Sequence, residues 1–102
     1  MVMKTKIFTL LLTIAFSSQV MADGKSLYKN CAGCHGSNGK TKALSKSKRI
    51  AGQASSKTVK QLTAYKKGEL NKYGLGHIMK LQVVTLNSRK IKQLADYIAK
   101  LK

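Results

Sequence analysis

The chain has 102 residues, of which 20 are Lys or Arg and 3 are Asp or Glu, for a net charge of +17. That length is enough for one small domain. So positive a field repels other cationic proteins and attracts acidic proteins, anionic membrane surfaces or nucleic acid.

Residues 1–22 read as a secretory signal. Lys4 and Lys6 give a positive start, and the apolar run from Ile7 to Phe16 is too short to cross a bilayer as a helix. Polar Ser17, Ser18 and Gln19 follow, and Val20–Ala22 resembles a cleavage site, with the cut between Ala22 and Asp23. A retained membrane anchor is the alternative, disfavoured by the short run and by its cleavage-like end. Cleavage leaves 80 residues with a net charge of +15. A domain that small often needs a disulfide, metal or cofactor to supplement its core. Export to the periplasm also places its thiols in an oxidising compartment.

The remaining segment, 23–102, shows no repeat and no second domain, and proline is absent from the chain. A helix opens at Asp23 or Gly24, with Leu27, Tyr28, Cys31 and Cys34 at helical spacing. Residues 36–52 read as loop, including the basic stretch Lys40 to Arg49. A second helix is capped by Ser55 or Ser56, carries Val59, Leu62 and Tyr65 or Lys66 at spacings of three and four, and stops at Gly68. Asn71 to Lys80 reads as a loop that runs into a short turn of helix through Val84. The last helix has the clearest pattern. Asn87 or Ser88 caps it, Ile91, Leu94, Ala95, Ile98 and Leu101 form one apolar stripe, and Leu86 is placed to staple against Ile91. Lys100 and Lys102 sit at the negative end of its dipole. No segment alternates with period two, so the fold class is all-α.

The chemistry concentrates in "NCAGCHGSNG", Asn30 to Gly39, which holds both cysteines of the chain. Cys-x-x-Cys-His is the attachment pattern of c-type haem. On a helix, Cys31 and Cys34 fall near one face, each able to reach one vinyl group at a haem edge, and His35 follows as a ligand to the iron. Two alternatives stand beside this. A redox disulfide of the thioredoxin kind needs a strand-to-helix junction, and no strand is found. A structural disulfide closing so tiny a loop contributes little loop entropy. Structural zinc needs four ligands, for which Cys31, Cys34, His35 and His77 are available but awkwardly spaced. A haem iron also takes a second axial ligand or leaves an open face. Of the four methionines, signal cleavage removes Met1, Met3 and Met21, so Met79 is the methionine that remains. Met79 is the candidate opposite ligand, with His77 the alternative.

These pieces, in this order, resemble the small monohaem class I c-type cytochromes of bacterial periplasms. The resemblance covers nearly all of 23–102. It is carried by "GKSLYKNCAGCHG", by "RIAGQ" at Arg49 to Gln53, by "VKQLTAYKKGE" at Val59 to Glu69, and by Met79 with the "QVVTLNSRKIKQLADYIAKL" that comes after it. It implies a small cytochrome c-like fold, with several short helices wrapped around one covalently bound haem c. It also implies crossing terminal helices, Gly24 and Tyr28 meeting Leu94 and Tyr97, and a His35 whose Nδ1–H donates to a carbonyl of the next loop. Relatives commonly carry a proline just before the segment like Arg49–Gln53; Lys48 stands there in this chain and leaves the loop less rigid. With both axial positions filled, the expected function is a soluble one-electron carrier and not an enzyme. Its expected partner is a transient acidic redox protein, with weak association to an anionic membrane surface, no nucleic acid and a monomeric state. The competing function is a haem enzyme or gas sensor with an open axial site, which requires Met79 to be a non-ligand.

Overall fold

A computed structural model describes residues 23–102; the signal segment read over 1–22 lies outside the described residues. The described part is helical from residue 23 to 35 (α1), with later helices at Ser55–Lys66 (α2), Gly76–Val83 (α3) and Ser88–Lys100 (α4). A single turn of 3-10 helix, Ala43–Ser45, interrupts the basic loop. No strand occurs among the described residues, as the missing period-two pattern predicts.

α4 is the floor of the fold. Its stripe of Ile91, Leu94, Ala95 and Ile98 is almost wholly excluded from solvent. Burying each of the three larger side chains contributes about 1.5–3 kcal/mol. The Asn87 side chain accepts the Lys90 N–H at 2.9 Å, the cap expected from sequence. Leu86, just before it, packs on the core cluster that contains Ile91. Its carbonyl also accepts a 2.6 Å hydrogen bond from Lys66 Nζ, which ties the α3–α4 connection to the end of α2.

α2 packs on both α3 and α4. It stops where expected. Gly68 adopts a φ of +75°, and its N–H donates to the Tyr65 carbonyl while the Glu69 N–H reaches back to Ala64. This is a Schellman closure, which a residue without Cβ makes at least strain. Its start differs from expectation. The N-cap position is Ala54, with no side-chain cap, and neither Ser55 nor Ser56 serves. Ser55 instead donates its hydroxyl to Asp96 on α4, an acceptor that also takes a bond from Lys92. The bonds from Lys92 and Ser55 hold the Asp96 carboxyl below its ordinary range. A tertiary contact has thus taken the hydroxyl that local rules assign to a cap.

The second difference lies at residues 71–80. The helix here begins at Gly76, so Met79 rides on α3 and not in a loop. The cap comes from a distance: Asn71 Oδ1 accepts the Gly76 N–H at 2.8 Å across the intervening turn. Capping rules look one to three residues ahead of the acceptor and so pass over it.

α1 crosses α4 at the Gly24 position. A Cβ there would stand 2.7 Å from the Gln93 carbonyl oxygen and 3.0 Å from Tyr97 Cβ. Four residues on, the Tyr28 ring packs on Tyr97 with centroids 5.5 Å apart and planes inclined by 52°. Leu94 lies in the same core cluster as Tyr28. The expected crossing is therefore present, with the Gln93 backbone as the surface that Gly24 meets. Gly33, on the same helix, faces open space. Gly24→Ala should therefore destabilise the fold by about 1–3 kcal/mol through overpacking. Gly33→Ala should be neutral or stabilising by up to about 1 kcal/mol through helix propensity. Urea denaturation of the two variants beside wild type checks both signs.

Candidate functional site

Gly24, Tyr28, Cys31 and His35 are spaced four, three and four apart, so they form one stripe along α1. The stripe faces the core: Tyr28 and His35 are buried, and Cys31 is half-buried against the core cluster. Cys34 lies off the stripe and is exposed. No disulfide joins the two cysteines. Burial, and then the neighbouring Cys34, push the Cys31 thiol up to about 11.

His35 looks into a cleft of about 180 Å³. Met79, Leu62, Ile50 and Ile98 supply much of its apolar wall. α1 delivers His35 from one side and α3 delivers Met79 from another, although 43 residues separate them in the chain. His77, one turn before Lys80, is exposed and does not line the cleft. Burial lowers the pKa of His35, which keeps its imidazole neutral and its nitrogen available as a donor to a metal.

The expected bond from His35 Nδ1 to a loop carbonyl is not made. Nδ1 is buried without a hydrogen-bond partner. The carbonyls of Gly36 and Gly39 are each engaged twice. Gly36 O accepts from the Tyr28 hydroxyl at 2.7 Å and from the Gly39 N–H, and Gly39 O accepts from the N–H groups of Ile50 and Ala51. Burial pushes the Tyr28 phenol up to about 12, so it remains a proton donor at any ordinary pH.

The rim is polar and cationic. Lys48, Lys57 and Lys72 line the cleft, and none of the chain's three acids does. Proximity in sequence points to Lys25, Lys29, Lys80 and the 40–49 loop; of these, Lys48 reaches the cleft, and the Lys80 side chain runs beside Gly68. Sequence reasoning also misses the amide wall. Gln53 Nε2 donates to Thr58 Oγ1 at 2.8 Å and to Gln61 Oε1 at 2.7 Å, and all three residues line the cleft. Gln53 belongs to a loop and its two acceptors to α2, so no local period links them.

The site suits a haem on its own chemistry. It combines a mostly apolar wall, a buried neutral imidazole with an unpartnered nitrogen, a thioether from a second helix, and two cysteines at the end of α1. Zinc is served poorly, since no three His, Cys, Asp or Glu side chains gather as a metal cluster among the described residues.

Comparison with known proteins agrees. The family model for cytochrome c matches residues 21–102. Cytochrome c-553 of Helicobacter pylori (strain ATCC 700392 / 26695) is 40% identical over 98 residues, covering 95% of this chain and 98% of that protein. Cytochrome c-553 of Nitratidesulfovibrio vulgaris (strain DSM 19637 / Miyazaki F) is 34% identical over 92 residues, covering 88% of this chain and 87% of that protein. Among solved structures, reduced recombinant cytochrome c4 from Pseudomonas stutzeri superposes with a TM-score of 0.74 at 28% identity. That match covers 83% of this chain and 50% of the cytochrome c4 chain. The all-α fold, the CAGCH helix end and the family match across the whole described segment lead to one conclusion: the chain belongs to the cytochrome c family, as an electron carrier with one haem c and not an enzyme.

Proposed function

We propose that this protein is a periplasmic one-electron carrier, exported by residues 1–22 and cut after Ala22, with haem c held by Cys31 and Cys34 and ligated by His35 and Met79. The observation that carries the ligand set is that His35 and Met79, from different helices, line one cleft while His77 is exposed. When bound, the haem would supply a reversible Fe(III)/Fe(II) couple, with His35 and Met79 the residues that would ligate its iron.

The chain's own residues do the rest. Cys31 and Cys34 would hold the group, each through one thioether. His35, neutral through burial, donates a nitrogen lone pair. The soft Met79 thioether favours the reduced iron over the oxidised one relative to a second nitrogen. The apolar walls would exclude water, and with His35 and Met79 both engaged no ligand position would be left for a substrate. Lys48, Lys57 and Lys72 make the cleft rim positive, which suits brief encounter with an acidic redox protein.

Three results are expected. Intact mass of the periplasmic form should equal residues 23–102 plus one whole haem; Cys31→Ser or Cys34→Ser should leave one thioether, and an unmodified wild-type mass would defeat the reading. Met79→Ala should abolish the far-red thioether–iron charge-transfer band of the ferric protein and open the reduced protein to carbon monoxide. His77→Ala should do neither, and the reverse pattern would exchange the two assignments. Electron transfer to an acidic partner should slow roughly tenfold from low to physiological salt as screening removes the steering field; a flat stopped-flow salt profile counts against lysine-guided docking.

A further inference from the structure

Between Lys40 and Arg49 the chain carries five cations in ten residues, Lys40, Lys42, Lys46, Lys48 and Arg49, all of them exposed. None of the three acids, Asp23, Glu69 and Asp96, lies in this loop. Midway along it stands Leu44, an apolar side chain that is 56% exposed. Leu44 and Ser45 have φ values of +50° and +62°, the left-handed region in which a leucine is strained.

The fold holds this geometry in place. Ala43 is buried, its N–H donates to Ser47 Oγ at 3.1 Å, and its carbonyl accepts from the N–H groups of Lys46 and Ser47. Ala43 and Ser47 line the cleft and Leu44 does not. The turn thus has its two ends in the cleft wall and its apolar tip outside it. A single exposed leucine is ordinary; one held in a left-handed conformation among five cations is not. Polybasic clusters bind anionic lipid surfaces, and an apolar side chain entering the interface adds to that attraction. Other anionic partners fit less well. Residues 36–54 include no aromatic side chain on which bases could stack, as single-stranded nucleic-acid sites do. A protein partner must match the shape of what it covers, over about 800 Å² a side, whereas a lipid surface yields to a single apolar side chain.

We propose that the 40–49 loop docks reversibly on an anionic lipid bilayer, its cations meeting the headgroup phosphates and Leu44 entering between them. This goes beyond the carrier reading and does not depend on which residues ligate the iron. Lys48 belongs both to the loop and to the cleft rim, so docking would keep that edge of the cleft beside the membrane.

The test is co-sedimentation of the processed holoprotein with vesicles of phosphatidylethanolamine and phosphatidylglycerol, read against pure phosphatidylcholine. Wild type should bind the anionic vesicles, release them as salt rises, and ignore the neutral ones. The triple variant Lys40→Gln, Lys42→Gln, Lys46→Gln should weaken binding at least about tenfold. The triple variant Lys60→Gln, Lys67→Gln, Lys90→Gln removes equal charge from exposed positions outside the loop and should weaken it by less than about threefold. Leu44→Asn should weaken binding about threefold with an unchanged or higher urea midpoint, because asparagine tolerates the left-handed region. Equal losses from the two triple variants reduce the attraction to net charge and overturn the site, as does a Leu44→Asn variant that binds like wild type. Loss of stability in Leu44→Asn makes Leu44 a packing residue and overturns its role at the interface. Wild type that ignores anionic vesicles, yet is held by immobilised polyglutamate through the same three loop lysines, gives this surface to an acidic protein and overturns the lipid proposal.

Discussion

The close approach of α1 to α4 at Gly24 governs the rest of α1. With no Cβ at that position, the helix backbone rests on the Gln93 carbonyl. Residues four, seven and eleven positions later then return to the same face, because eleven residues complete just over three turns, about 16.5 Å of helix. Tyr28, Cys31 and His35 occupy these positions. One contact at the start of the described helix thereby aims the imidazole at its far end into the cleft. The ring pair Tyr28–Tyr97 removes the remaining freedom to roll about the axis.

The other cleft wall is reached through α4 as well. α4 carries α2, and α2 carries α3, which presents Met79. Each joint uses a polar side chain to settle a backbone or cap question: Ser55 on Asp96, Lys66 on the Leu86 carbonyl, Asn71 on the Gly76 N–H. The apolar stripe of α4 supplies most of the burial, while these bonds choose among the ways helices could lie on it. Charge is distributed to match. The chain's acids stay off the cleft, and Asp96 is consumed by a helix–helix contact, so lysines alone set the sign of the field at the rim.

Much of this is legible in the residues. The stripe and Asn87 cap of α4, the Gly68 stop of α2 and the CAGCH end of α1 are local patterns, and local physics suffices to read them. The differences all stem from distance. Ser55 has the right chemistry for a cap and is spent on another helix. Asn71 caps α3 from beyond the usual window, so local signals put Met79 in a loop when it belongs to a helix. Gln53, Thr58 and Gln61 meet across a loop and a helix with no shared period. The lysines nearest in sequence to the haem-attachment motif are not, with the exception of Lys48, those that line the cleft.

The amino acids alone set the chemistry: two thiols and an imidazole at one spacing, one methionine after the expected cleavage site, and a charge of one sign. They also set most of the helical pattern, since periods, stops and near caps are properties of neighbouring residues. Which of these groups share a cleft, and which lysines edge it, emerges only when the helices are packed together. The same holds for the Tyr28 hydroxyl, which donates to the Gly36 carbonyl eight residues on. Those relations depend on helix crossings, and a crossing is set by how surfaces far apart in the chain fit together, which no local pattern encodes.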